Sequence, residues 1–232
     1  MSCILHIETS TEVCSVALSQ DGVCLHEEID TTGRRHAEIL APFVKETVSF
    51  ADSHAIPLDA VAVSAGPGSY TGLRIGVSTA KGLCYGRDLK LISIPTLKVL
   101  CTPILLYRED IPDNALLCPM IDARRMEVYT AVYNRALQEI VPTSAVIVNE
   151  DSFKDLLEEH PIYFFGNGAG KCRETIQHPN AHFIDGIVPK ASNMLPLAER
   201  ALAVGDTVDV AYYEPFYLKQ FVAGKSKNLL KE

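Results

Sequence analysis

Three glycines within seven residues, Gly66-Pro67-Gly68-Ser69-Tyr70-Thr71-Gly72, constrain this chain more than any other feature. They follow an apolar run, AVAVS at 60–64, and open a segment with helical patterning that ends near Gly86. A strand that turns through glycines into a helix gathers backbone amides at the helix N-terminus, a geometry that suits an anion. It equally suits a tight turn without a ligand, because glycine tolerates conformations and close approaches that other residues do not. The spacing is GxGxxxG, which is not the dinucleotide fingerprint GxGxxG. Along the helix, Gly72, Gly76, Thr79 and Ala80 lie near one face, and Gly82 and Gly86 follow. A helical glycine costs about 1 kcal/mol relative to alanine, so the run predicts close approach of another backbone. A subunit interface built on this helix and the preceding one would supply it.

The flanking sequence reads as α/β. Three short strands are expected at 3–7, 13–19 and 23–29, with Gln20-Asp21-Gly22 as a hairpin signal. Such a start excludes a pure βαβ repeat. A helix is expected over 35–52, with Pro42 inside it and an apolar stripe wider than one sheet contact uses. A strand at 91–94 precedes Pro95 and a helix from about Thr96. Pro103 and Pro112 within 102–114 predict a boundary between lobes. Beyond it, strands are expected at 116–121, 126–133, 146–148, 162–165 and 182–184. Helices are expected at 151–159, capped by Asp151 or Ser152, at 169–177 and at 192–204. The aromatic tail, 212–221, is expected to be extended and packed on the body. The organisation is therefore a first lobe at 1–102 completed by a helix at 191–205, a second lobe at 103–190, and a tail at 206–232.

Composition narrows the function. With 21 Lys+Arg against 29 Asp+Glu the net charge is −8, which disfavours a free-standing nucleic-acid binder. Lys219, Lys225, Lys227 and Lys231 make only the tail locally basic. A hydrophobic content of 47% excludes disorder as the main state. Seven cysteines, an odd number without a CxxC pair, argue against a disulfide framework or a zinc ribbon and for a reducing cytoplasm. MSCILHIETS has no basic start and no long apolar run, so neither a signal peptide nor a membrane span is expected.

Other motifs are weaker. Gly166-Asn167-Gly168-Ala169-Gly170-Lys171-Cys172 is a near miss for a phosphate loop: Phe165 stands where the first glycine belongs, and Cys172 replaces the Mg²⁺-binding hydroxyl. It reads as a strand-to-helix turn. Glu8, Thr9, Ser10 and Thr11 put a carboxylate and three hydroxyls on a strand-to-strand turn, which suits either a phosphate with its Mg²⁺ or an ordinary hairpin. The candidate phosphate loops are therefore Glu8–Thr11, Gly66, Gly68 and Ser69, and Gly166 and Gly168. No HExxH or GxSxG occurs, and no metal site or nucleophile–base pair is expected.

Four segments together, ILHIETSTEVCSVAL, RRHAEILAPFV, SAGPGSYTGLRIGVSTAKGL and MIDARRMEVYTAVY, resemble the bacterial TsaB (YeaZ) family over most of the first 135 residues. The resemblance implies an ASKHA fold, two actin-like/Hsp70-like α/β lobes with mixed sheets flanked by helices. It implies a non-catalytic subunit of the complex that adds threonylcarbamoyl to the adenosine next to the tRNA anticodon. The partners implied are a TsaD-like catalytic subunit, a TsaE-like ATPase and, through the complex, tRNA, with a homodimer when isolated. No cofactor is expected to bind this chain tightly by itself; ATP or ADP is expected at the complex interface. The catalytic relative has a segment resembling HHMEGH, whose two metal-binding histidines fall on Thr96 and Leu100 here. Leucine cannot ligate a metal, so that site is expected to be absent. The resemblance places His36, Ile39, Leu40, Phe43, Val44, Gly72, Leu73, Gly76 and Lys81 in or near the partner contact. Two alternatives stay open: a stand-alone ATP-dependent small-molecule kinase with Glu8 as its acid, and, less favoured, a metallopeptidase.

Overall fold

The computed structural model describes residues 2–33 and 35–219. Its two sheets are built on one plan. In the first, β1 (Cys3–Glu8) pairs antiparallel with β2 (Cys14–Gln20) and parallel with β4 (Ala60–Ser64). With β3 (Val23–Asp30) and β5 (Lys90–Ile94) at the edges, the order is β3-β2-β1-β4-β5. In the second, β6 (Leu116–Asp122) pairs antiparallel with β7 (Glu127–Tyr133) and parallel with β9 (Ile162–Phe165). Adding β8 (Glu139–Ile147) and β10 (Ala181–Ile184) gives β8-β7-β6-β9-β10, the same order. The central strands read as unbroken apolar runs because both faces of each sheet are covered.

The first lobe carries two long helices on one face. These are α1 (His36–Ser53) and α2 (Tyr70–Arg87), packed over Leu5, Ile7, Val61 and Val63. Pro42 sits inside α1 without ending it. Arg87 grips the Asp52 carboxylate through both guanidinium nitrogens, at 2.9 and 2.8 Å, tying the far ends of the two helices together. The other face is covered by α3 (Thr96–Tyr107), α5 (Leu195–Val204) and the 3-10 turn before it, through Val99, Ala198 and Met194 on Ile4, Ala62 and Ile92. Residues 191–204 thus return to the first lobe, where Glu199 accepts from the Gly22 amide at 3.0 Å. The opposite side of α3 packs on the second sheet through Leu97, Leu100, Cys101 and Ile104. One helix therefore serves both lobes.

Several expectations change here. The segment 102–107, read as a boundary, is the last part of α3, with Pro103 held inside the helix. Helix α4 is shorter than expected (Lys154–Glu159), and Phe153 precedes it in left-handed backbone. Ser152 and Asp151 do not cap it: the Ser152 hydroxyl donates to Asn149 Oδ1 at 3.0 Å, and Asn149 Oδ1 also accepts from the Asp151 amide. The helix expected at 169–177 is a single 3-10 turn, Gly170–Cys172. Residues 192–194 belong to a 3-10 turn ahead of α5. Of the tail, 214–219 run without helix or strand, and 220–232 lie outside the described residues. Among the described residues no helix is long and apolar enough to cross a membrane.

Candidate functional site

The lobes face each other across a cleft of about 790 Å³. Its floor is made by two hairpin turns and two glycine turns, one of each from each lobe. In the first lobe, the Ser69 hydroxyl accepts from the Gly72 amide at 3.2 Å and caps α2. The glycines do not open a cradle; they let α2 lie directly on the β1–β2 turn. A Cβ at Gly68 would sit 2.3 Å from the Ser10 carbonyl oxygen, and one at Gly72 2.1 Å from that of Thr9. At Gly76 a Cβ would fall 2.2 Å from the Thr9 hydroxyl. Gly66 is covered by the tail, whose Phe216 carbonyl oxygen lies 2.5 Å from its Cβ position. The backbone approach predicted from the glycine run is thus made, at Gly72 and Gly76, by this chain's own turn. Gly82 and Gly86 face open space.

The β1–β2 turn is correspondingly buried, apart from Glu12. Glu8, Thr9 and Ser10 are fully buried and Thr11 nearly so. The Ser10 amide donates to Glu8 Oε1 at 2.6 Å, and the Ser69 amide donates to the Ser10 carbonyl at 2.7 Å. Burial pushes the Glu8 carboxyl up to about 7, against the lowering effect of hydrogen bonds from Ser10, Ser64 and Thr9. Its Oε2 has no partner. On the same strand, burial drives His6 down to about 3, so its ring is neutral, with Nε2 2.8 Å from the Ser19 hydroxyl.

The second lobe repeats the device. Gly166 turns with φ 99°, and a Cβ there would meet the Met120 carbonyl oxygen at 2.4 Å. A Cβ at Gly168 would sit 2.9 Å from the Asp122 amide nitrogen. The Gly168 amide donates to Met120 O at 2.9 Å. Lys171 does not wait for a phosphate: its ammonium is bound to the Asp122 carboxylate and donates to Glu127 O at 2.7 Å. Asn167 bridges the lobes, its amide donating to Glu12 Oε2 at 2.8 Å and its oxygen accepting from the Asp122 amide at 3.0 Å. Lys219, from the tail, is paired with Glu127 at 2.5 Å. Tyr217 packs on Tyr70 with ring centroids 4.7 Å apart. Asn167, Lys219, Tyr70 and Tyr217 were missed as site residues. Only the placement of Asn167 between two glycines could have flagged one of them.

The expected partner-contact residues divide. Leu40 and Leu73 are core residues of their own lobe, and Gly72 and Gly76 are buried under Thr9, so none of the four presents a side chain outward. His36 is buried, with Nε2 3.1 Å from Val13 O. Lys81 is half-buried and donates to Ala211 O and Tyr213 O, fastening the tail to α2. Ile39, Phe43 and Val44 remain half-exposed along α1. Thr96 and Leu100 are both fully buried on α3, and the Thr96 hydroxyl accepts from the Gly66 amide at 3.2 Å. Among the described residues no group of three His, Cys, Asp or Glu is placed to hold a metal ion.

Two lobes of the same strand order, joined across a cleft by a shared helix, make this an ASKHA-type protein. An activator of 2-hydroxyisocaproyl-CoA dehydratase from Clostridium difficile, solved with bound ADPNP, has the same fold (TM-score 0.50, 8% identity, covering 88% of this chain and 97% of that one). The matches at higher identity are specific. Residues 27–223 match the family model described as TsaD, tRNA N6-adenosine threonylcarbamoyltransferase. The Escherichia coli tRNA threonylcarbamoyladenosine biosynthesis protein TsaB is 34% identical over 230 residues, 96% of each chain. YeaZ from Pseudomonas aeruginosa superposes with a TM-score of 0.79 at 28% identity, over 94% of this chain and all of that one. The chain belongs to the TsaB (YeaZ) family, within the TsaD domain family.

The fold class implies a nucleotide in the cleft, and the residues present do not fit its phosphates. The amides of Ser10, Gly72, Asp122 and Gly168 are already engaged within the chain. Asn167 spans the two hairpin turns, and the Glu12 carboxylate it holds would repel a polyanion. Of the residues expected as phosphate loops, Glu8–Thr11, Gly66, Gly68, Ser69, Gly166 and Gly168, several are used in close packing and hydrogen bonds within the chain.

Proposed function

We propose that this chain is a non-catalytic subunit in the biosynthesis of threonylcarbamoyladenosine in tRNA, and that it pairs with and activates a TsaD-like catalytic subunit. The observation that carries the reading is the character of α3. Where the resembling catalytic segment has its two histidines, this chain has Thr96 and Leu100, both fully buried in the packing between the lobes. Neither can hold a metal or meet a substrate. In the cleft the amides of Ser10, Gly72, Asp122 and Gly168 are taken up within the chain, and among the described residues no cluster of His, Cys, Asp or Glu replaces the missing histidines. A TsaE-like ATPase joins the pair, and a nucleotide used by the assembly is bound outside this chain's own cleft. The half-exposed stripe of Ile39, Phe43 and Val44 on α1 supplies the apolar surface for the TsaD-like partner, and for a second copy of this chain when the partner is absent.

The test is paired. The purified chain alone should show negligible ATP turnover, and modified tRNA should form with a TsaD-like protein only when this chain is added. Vigorous turnover by the chain alone would favour the stand-alone kinase reading and overturn this one.

A further inference from the structure

The β6–β7 turn is the strained and charged feature of the cleft mouth. Arg124 and Arg125 both take left-handed backbone, with φ 74° and 50°. They lie in the four-residue connection 123–126 between β6 and β7, and left-handed backbone of this kind ordinarily goes to Asn, Asp or Gly. The turn is held in this shape by its own hydrogen bonds: the Arg124 amide donates to Asp122 Oδ1, and the Glu127 amide donates to Arg124 O. It is pinned from outside as well. Lys171 meets Asp122 and Lys219 meets Glu127, so both carboxylates of the turn are compensated by lysines. The two arginines are left over. Both are exposed, and neither guanidinium has a hydrogen-bond or ion-pair partner among the described residues. Arg124 lines the cleft, as do Tyr70, Tyr129 and Tyr217. Backbone strain kept at a solvent-facing position, with its charge unspent, points to a role in binding.

We propose that Arg124 and Arg125 form a fork for RNA phosphates, so that this chain touches tRNA directly. The inference rests on the reading of the chain as a subunit in tRNA modification and deepens it. Guanidinium groups match phosphate oxygens in pairs, which a lysine does not. Tyr129, half-buried and lining the cleft with Arg124, and the Tyr70–Tyr217 pair across it put aromatic surface within the same cleft, which suits an RNA more than an acidic peptide. Because the chain as a whole carries −8, the fork is a local contact and not part of a surface-wide field. The Glu12 carboxylate on the opposite lobe limits it to the outer edge of the cleft. It therefore positions the tRNA and does not read its sequence.

The test uses R124G/R125G, which keeps the left-handed turn available while removing both side chains, and R124K/R125K, which keeps the charge and loses the fork. Binding of unmodified tRNA is measured across salt for the full chain alone and for the chain with its TsaD-like partner. Light scattering reports pairing in parallel. The glycine variant should lower the slope of log K against log salt by roughly 1.4–1.8, and weaken binding on the order of tenfold at low salt, with pairing unchanged. The lysine variant should fall between. An unchanged slope and affinity in the glycine variant overturns the proposal. So does a variant that loses pairing but not the salt-dependent tRNA term, since the arginines then meet an acidic protein surface. If no pairing occurs even with the native chain, the functional reading fails. The titration of the chain alone still decides the fork: a slope lost on substitution supports it, and no tRNA binding by the native chain overturns it.

Discussion

The two lobes repeat one design and spend it differently. Each has a central strand pair whose hairpin turn is covered by a glycine turn from the neighbouring parallel strand: Thr9 and Ser10 under Gly68, Gly72 and Gly76, and Met120 and Asp122 under Gly166 and Gly168. In the first lobe two 18-residue helices follow, and the turn is buried except for Glu12. In the second lobe the equivalents shrink to a six-residue helix and one 3-10 turn. Its hairpin turn stays exposed, held by lysines instead of by packing. A duplicated fold has kept its closeness of approach in both halves, while one half became a packing surface and the other kept a charged edge.

The sharpest way to break this comparison is to add a methyl group where each turn is closest. Gly72→Ala and Gly76→Ala should destabilise by roughly 3 kcal/mol or more, because the new Cβ meets Thr9, backbone oxygen in one case and a fully buried hydroxyl in the other. Gly82→Ala, on the same helix but facing open space, should gain up to about 1 kcal/mol. Urea denaturation of the three variants reads both signs. Equal effects at 76 and 82 would mean that the glycines serve something other than the Thr9 contact.

A second prediction concerns the buried carboxyl. Glu8 rises from its ordinary 4.5 to about 7 in the folded chain, so the folded state holds a proton that the unfolded state has lost between those values. Its contribution to stability is complete below about 4.5 and is lost as pH rises through about 7, a swing on the order of 3 kcal/mol. His6, lowered to about 3, works in the opposite sense: its contribution is complete above about 6.5 and is lost as pH falls toward 3. The two slopes oppose each other where the windows overlap. Glu8→Gln should leave His6 uncompensated, so stability measured between pH 5 and 7 should climb with pH more steeply than in the native chain. A parallel profile would remove the buried, protonated Glu8 from the account.

The second lobe is sharpened by smaller changes. Arg124→Gly and Arg125→Gly should each stabilise by about 0.5–1 kcal/mol, since glycine accepts the left-handed backbone and only part of that gain is offset by its freedom when unfolded. Thermal melts would check the gain. Lys219→Ala should cost about 1 kcal/mol or less, because its pair with Glu127 is half exposed. Together the two results would show that the exposed turn is strained in its backbone and only lightly fastened.

What was legible in the sequence follows from distance along the chain. The strands at 3–7, 60–64 and 162–165 and helix α2 are local patterns of apolar residues and glycine, and they stand close to where they were expected. The close approach at Gly72 and Gly76 was legible in kind, but its partner, Thr9, lies more than sixty residues upstream, so a subunit contact read equally well. Within the helix expected at 169–177 stand Ala169, Cys172 and Ile176. Those residues do fill the core of the second lobe, but from a single turn flanked by Gly168 and Pro179. The clasp of Asn167 on Glu12 joins residues 155 apart, and that of Lys219 on Glu127 residues 92 apart. No local pattern announces either.

The measurement that tests the account most directly is light scattering with size exclusion, on the chain alone, with a TsaD-like protein, and as Phe43→Asp. The account predicts a self-associated chain that dissociates to form a one-to-one complex with the partner, and loss of both associations in the variant while its fold persists. A chain that stays monomeric and forms no complex would contradict it.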